Sequence, residues 1–353
     1  MLNLLTEKEA DEIVQDSMER VSKPASIQEI IDKGDIPRLK GFKAKPGKVS
    51  DSIFGGYERN PPLDTAEGTP IRLMYRTNRI STHDIVRGDV PFKDQVLAFN
   101  HNFMRKIAEP AIGTSQFDIP GLAINSPVIA AENLDTLMIE MVLRAYMARS
   151  TTLTSLWVHY QNGERVFCGH PLGEGWIVNQ KLPYLMDTPS TKGAHDESVP
   201  PEYFFDHGIC TPEQYAQIRN SSVEGFGRVA QFSLERGVIL VDTKTEHGKN
   251  RRGQIVSQDE LYTMDSSRYW LTDDYERAIR ERRDPLSYSK QIAREMSQGT
   301  RGYTPEQERI IAVRYIMGIQ NLTGQRFEPD VRNREQRLVE DTNLILDHLM
   351  KAM

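Results

Sequence analysis

The stretch "ILVDTKTEHG", residues 239–248, decides how this chain is read. Ile239, Leu240 and Val241 read as the start of a buried strand, and charges then take every second position, at Asp242, Lys244 and Glu246. Alternate side chains of a strand share one face, so acid, base and acid stand in a row about 13 Å long at ~3.3 Å per residue. Such a row is either the wet face of a half-exposed strand or a surface long enough to touch a metal, a phosphate and a second substrate together. Local spacing leaves both readings open, and the rest of the chain has to decide.

With 353 residues the chain is sized for two packed domains. Its 38% apolar and 27% charged residues are ordinary for a globular protein in water. A net charge of −6 argues against a global attraction to nucleic acid. The opening "MLNLLTEKEADEIV" lacks the basic region, apolar core and cleavage site of a signal peptide. No run approaches the roughly 18–20 apolar residues that span a bilayer, so no membrane partner is expected. The two cysteines, Cys168 and Cys210, lie far apart and fit a reducing cytoplasm, the expected compartment. The eight histidines form no HExxH and no Cys/His ligand spacing, so zinc is not expected, and His195 in "GAHDES" reads as a loop residue.

Along the chain, residues 5–33 read as a helical N-terminal decoration, with Ser26 and Glu29 spaced as a capping box. "GKVSDSIF" (47–54) and "PIRLMYRT" (70–77) read as paired strands joined by a Gly/Pro-rich loop. Val96, Phe99, Phe103 and Ile107 recur at helical spacing within 92–109. In 136–147, Leu137, Ile139, Met141 and Leu143 share one face of a strand, and Glu140 and Arg144 the other. "TPEQ" occurs at 211–214 and 304–307, each time with Thr as N-cap and Pro at the first helical position, and a last amphipathic helix is expected over about 330–352. Strands and helices mix without strict βαβ alternation, which favours an α+β fold. The expected division is a helical extension (1–35), a smaller β-rich domain (36–130), a larger α+β domain (131–303) and C-terminal helices (304–353). There is no Walker A motif, no GxGxxG, no GxSxG elbow and no kinase HRD or DFG set, so a nucleotide site has to be built differently.

Six blocks, read in order over roughly residues 45–300, resemble the SAICAR synthetase (phosphoribosylaminoimidazole-succinocarboxamide synthase) family. They are "GKVSDSIF", "TNRISTHDIV" (77–86), "MIEMVLRAYMARS" (138–150), "DTPSTKGAHDE" (187–197), the opening "ILVDTKTEHG", and "IVSQDELYTMDSSRYW" (255–270). The chain departs from the family pattern at Ser50 (usually Arg), Asn78 (Asp), His83 (an aromatic), Ala148-Arg149 (Thr-Gly) and His247 (Phe). Arg149 is the most consequential, because it sets a bulky cation beside the implied phosphate pocket.

The resemblance implies a cytoplasmic α+β ligase with a SAICAR synthase-like two-domain fold. Its reaction joins the carboxylate of the ribonucleotide CAIR to the amine of L-aspartate, with ATP and Mg²⁺, in purine biosynthesis. A carboxylate is a poor electrophile, so the γ-phosphoryl group first converts it to an acyl phosphate. The site then needs a metal clamp, a cationic cradle and an anchor for the ribonucleotide phosphate. The resemblance assigns Glu246 and Asp259 to Mg²⁺, and Lys48, Lys244 and Glu246 to the nucleotide. Lys244, Asp242 and Lys192 are the expected catalytic residues. Arg144, Ser150 and Arg268 would hold the 5′-phosphate, with Glu140 beside them. Ser190, Thr191, Lys192 and Asp196 would face the carboxylate substrates, and Arg79, Ser81 and Asp84 would border the cleft. Trp157, Trp176 and Trp270 are expected to pack. The partners are small molecules rather than nucleic acid or membrane, in a monomer or a homodimer. A ligase with another acid or amine, a silent nucleotide-binding relative and a small-molecule kinase are the alternatives.

Overall fold

Alternating apolar residues build the first sheet. In the computed structural model, which describes residues 3–22, 25–82, 85–193, 196–288 and 290–351, β1 (Ser50–Phe54) pairs antiparallel with β2 (Ile71–Arg76), Ile53 opposite Leu73. On its other side β2 pairs with β5 (Val128–Glu132). Ile53, Ile71, Leu73, Tyr75, Val128 and Ala130 point into one core, and Met74, Ile129 and Ala131 are buried together in a second cluster. A hairpin, β3 (Arg79–Thr82) and β4 (Ile85–Asp89), leads to α3 (Lys93–Ala108), the helix expected over 92–109.

The chain divides into two compact units. The first holds the described residues up to Phe103, Ser115–Asn133, and those from Gln291 onward. It contains α1 (Glu7–Ser22), α2 (Ile27–Lys33) and the C-terminal helices α8 (Gln291–Met296), α9 (Pro305–Thr323) and α10 (Arg334–Met350). The reading of residues 5–33 as a decoration needs correcting. Ile27, Ile30 and Ile31 of α2 are buried with Leu338, Ile345 and Leu346 of α10 in the same core as the sheet. The apolar i, i+3, i+4 spacing of α2 requires such a cover. The capping box of Ser26 and Glu29 is present, and Gly34, at φ +87°, ends the helix. Leu5 exchanges backbone hydrogen bonds with the Gln320 side chain of α9, at 2.9 and 3.1 Å, which ties the first described residues into this unit.

The second unit holds Met104–Thr114 and Leu134–Lys290. Its sheet centres on β6 (Asp135–Tyr146) and β11 (Val238–Lys249), which pair antiparallel along most of their length. At one end the order runs β10 (Ser190–Thr191), β6, β11, β12 (Ile255–Gln258). At the other, β9 (Lys181–Asp187) joins β6 and β13 (Ser267–Leu271) joins β11. Gly248 allows this approach, since a Cβ there would lie 2.7 Å from the Leu134 Cβ. The long helix α6 (Pro212–Leu234) covers one face, with Ser222 3.5 Å from Thr245 and Gly225 leaving room for Ile112 and Tyr262. Both "TPEQ" helices begin as read, each with Thr accepting from the Gln backbone three residues on and Pro at the first turn. Smaller elements complete the unit: α4 (Leu156–Gln161), the hairpin β7 (Val166–Phe167) and β8 (His170–Pro171), α5 (Pro201–Asp206) and α7 (Thr272–Glu281). Trp270 is buried with Ile239 and Val241, and Trp157 and Trp176 pack against Tyr160, Phe167 and Leu182.

Candidate active site

The register of β6 against β11 bears on the two readings of the charged row. Directly opposed residues of antiparallel strands share a face, and here Arg144 faces Asp242, Val142 faces Lys244 and Glu140 faces Glu246. The row on β11 therefore meets a second row on β6, and outer strands extend both. Ser190 lies opposite Glu140, Gln258 opposite Glu246, and Arg268 opposite Asp242. The other side of β11 carries Thr243, Thr245 and His247, all buried.

Two charge groups result. In the first, Glu140 and Glu246 are like charges at paired positions, an arrangement that is unfavourable by itself. Lys244 relieves it, bonding Glu140 and standing 3.5 Å from Glu246. Lys192, from the loop after β10, bonds the other oxygen of Glu246 and lies 4.0 Å from Asp259. Ser190 donates to Glu140 at 3.2 Å. Asp259 sits at φ +57°, a left-handed conformation that short polar side chains tolerate, at the turn just after β12. Glu140 is nearly buried, while the Lys244 side chain keeps 40% of its surface exposed, so the cation remains open to a ligand.

In the second group Asp242 lies between two guanidinium groups. Arg268 grips it through Nε at 3.0 Å and Nη2 at 2.6 Å, and Arg144 approaches to 3.6 Å. Arg144 also donates to the Thr188 hydroxyl and the Thr154 carbonyl, both at 2.9 Å. Burial pulls the Arg144 guanidinium below its ordinary value, and Asp242 opposes that. Arg268 donates to the Arg149 carbonyl at 2.9 Å. Ser150 follows on the same loop, its hydroxyl 3.2 Å from that of Thr152. The bulky cation expected beside the pocket, Arg149, bonds Asp284 at 2.9 Å.

Of the residues expected from sequence, Glu140, Arg144, Ser190, Lys192, Asp242, Lys244, Glu246, Asp259 and Arg268 are thus brought together on one sheet face of the second unit. Thr191 ends β10 and bonds the Glu197 backbone, and Asp196 is exposed on the loop that follows. Lys48, Arg79 and Ser81 belong to the first unit. Asp84, with His83 and His195, lies outside the described residues. Lys48 is not on a strand as read. It sits exposed in a bend before β1, which two bonds to Gly47 shape: the Asp51 carboxylate accepts from its N–H at 3.3 Å, and the distant Arg79 donates to its carbonyl at 3.0 Å. Arg79 also pairs with Asp51 at 2.5 Å, and with Thr77, Asp89 and Arg334 it lines a cavity of about 260 Å³ in the first unit. Burial raises the Asp89 carboxyl there.

Sequence reasoning passed over Thr188, Asn179 and Asp284. Thr188 stood inside a quoted block, whereas nothing near Asn179 or Asp284 signals a role. It also gave no role to Asp187. Burial pushes that carboxyl up, but bonds from His170, Tyr215 and Arg219 outweigh burial and hold it at about 2. Burial pushes the Cys168 thiol up to about 12, which makes it a poor nucleophile.

Comparison with known proteins bears on this geometry. The family model for SAICAR synthetase matches residues 65–310. The phosphoribosylaminoimidazole-succinocarboxamide synthase of Bacteroides fragilis is 34% identical over 292 residues, 78% of this chain and 89% of that protein. The chain belongs to the SAICAR synthetase family. SAICAR synthase folds agree with it: the Saccharomyces cerevisiae enzyme complexed with SAICAR superposes with a TM-score of 0.65 at 21% identity, covering 82% of this chain and 98% of that one. A SAICAR synthetase in complex with ADP gives 0.59 at 19% identity, covering 81% and 100%. The mixed helix and sheet of this chain is therefore the α+β SAICAR synthetase fold.

Proposed function

We propose that this protein joins CAIR to L-aspartate at the expense of ATP, giving SAICAR, ADP and phosphate through an acyl phosphate, in the cytoplasm. The observation that carries the reading is the ladder across β6 and β11, with open cations beside paired carboxylates at one end and a two-arginine pocket at the other. A carboxylate oxygen of CAIR forms a bond to the γ-phosphorus as the bond to the ADP oxygen breaks. The amine of aspartate, as the free base, then attacks the acyl carbon, and inorganic phosphate leaves with the electron pair of the C–O bond.

Lys244 and Lys192 are the groups that meet the charge developing on the transferring phosphoryl oxygens, held in place by Glu140 and Glu246. Arg144 and Arg268 hold the 5′-phosphate, for which planar guanidinium forks are suited, and Ser150 adds a hydroxyl. Asp242 fixes the direction of the Arg268 fork, and Thr188 with the Thr154 carbonyl that of Arg144. Ser190 and Thr191 border the carboxylates, with Asp196 on the loop that follows β10. Lys48, Arg79, Ser81 and Asp84 are assigned to the nucleotide and cleft by family likeness. The carboxylates of Glu246 and Asp259, joined through the Lys192 ammonium, fit Mg²⁺, which takes one or two carboxylates and fills its other positions from water and phosphate. When bound there, the ion would supply charge neutralisation for the phosphates.

The test is product formation from purified protein, Mg-ATP, CAIR and L-aspartate with each component omitted in turn. SAICAR and ADP appearing together only in the complete mixture supports the assignment. ATP and CAIR binding with no amide would sink it and point to another amine or a silent relative, and a stable phosphorylated product without an amine would point to a kinase.

A further inference from the structure

We propose that Arg149 is a third ligand for the ribonucleotide 5′-phosphate, parked on Asp284 when the pocket is empty. The inference rests on the reading that Arg144 and Arg268 take that phosphate. The placement of residue 149 comes first. Its N–H donates to the Asn179 side chain at 3.0 Å, and its carbonyl accepts from Arg268 at 2.9 Å. The backbone of Arg149 is thereby fixed one hydrogen bond from the Arg268 guanidinium, which roots its side chain beside the pocket.

Charge supplies the need. Arg144 and Arg268 contribute two positive charges, and Asp242, touching both, removes one. A phosphomonoester carries about −1.5 to −2 at neutral pH, so the pocket falls short by up to about one charge. Arg149 is the nearby cation that makes this up. Its side chain is 44% exposed and meets Asp284 through Nε rather than through a terminal nitrogen.

The parking place releases it readily. The same Asp284 oxygen accepts from the Asn179 amide at 2.7 Å, and the Asp284 side chain is 33% exposed to water. Asp284 therefore keeps a partner and solvation after Arg149 leaves, and exposed pairs of this kind are weakly held.

The experiment measures binding of CAIR and of its dephosphorylated riboside by calorimetry. Wild-type, Arg149→Ala, Arg149→Gly, Arg149→Lys and Asp284→Asn proteins are compared, with melting curves to verify folding. Removing the cation should weaken CAIR binding by about fivefold to twentyfold, the range of one charge-assisted contact, and leave the riboside unchanged. Arg149→Lys should restore most of the loss. Asp284→Asn should tighten CAIR binding by about twofold to fivefold, because an exposed competitor for Arg149 is gone. Weaker CAIR binding in Asp284→Asn would overturn the proposal and make the Arg149–Asp284 pair a loop clamp. Equal losses for CAIR and riboside, or no loss in Arg149→Ala and Arg149→Gly, would overturn it too. A wild-type protein with no preference for CAIR over the riboside would instead overturn the phosphate-pocket reading beneath it.

Discussion

Replacing Lys244 by Met tests whether this residue neutralises opposed carboxylates as well as serving chemistry. Lys244 bonds Glu140 and stands 3.5 Å from Glu246, and those two acids occupy paired positions on β6 and β11. At an effective dielectric near 20, a charge pair at about 4 Å interacts by roughly 4 kcal/mol. The Lys244 side chain is 40% exposed, so solvent removes about half of that, leaving a cost near 2 kcal/mol for Lys244→Met. Thermal melting should register a fall of about 3–6 °C. Adding Glu140→Gln removes one of the opposed charges, so the double variant should regain about 1–2 kcal/mol relative to Lys244→Met, a coupling expected of direct neighbours. Ligase activity, followed by SAICAR absorbance, should stay at least ~100-fold down in both, since each lacks the cation proposed for the phosphoryl oxygens. A Lys244→Met protein that melts with the wild type, or a double variant no more stable than the single, would refute the neutralising role.

Other expectations are independent of that one. Asp187 is held at about 2 by His170, Tyr215 and Arg219, against an unfolded value of 3.8. Its stabilisation is complete above pH 3.8 and lost as pH falls through 2. After discounting for the exposure of Arg219, Asp187→Asn should cost about 1–2 kcal/mol at pH 7, a gap that closes in acid denaturation curves taken below pH 4. Both ring nitrogens of His247 are buried with no hydrogen-bond partner among the described residues, so His247→Phe should stabilise the protein by about 1–3 kcal/mol in urea melts. Gly225→Ala would bring a Cβ within 2.5 Å of Ile112 and 2.9 Å of Tyr262, so it should destabilise by about 1–3 kcal/mol by the same measure.

What the sequence disclosed was what local chemistry decides. Thr211 and Thr304 could be read as caps because an N-cap needs only its own hydroxyl and a backbone N–H three residues on. Glu140 and Arg144 could be placed on one face because a strand alternates. The opposition of Glu140 to Glu246 could not be read, since it depends on a register between strands about a hundred residues apart. The same holds for Lys192 reaching Glu246 and for Arg149 finding Asp284, contacts that span 54 and 135 positions. The start of β1 was misplaced because a side chain thirty-two residues on, Arg79, bonds the Gly47 carbonyl and shapes the turn. The burial of α2 escaped because its cover, α10, is the last helix of the described chain.

That last contact sets an order of assembly during synthesis. The sheet of the second unit has all its strands once residue 271 has left the ribosome. The earlier sheet, made of β1, β2 and β5, must wait for α10, beginning at Arg334, before Ile30, Ile53 and Tyr75 are covered. At 5–20 residues per second, the earlier-made strands stay uncovered for many seconds while the later-made unit is already closed. Growing chains should therefore acquire protease resistance from the middle outward, with the two ends locking last and together.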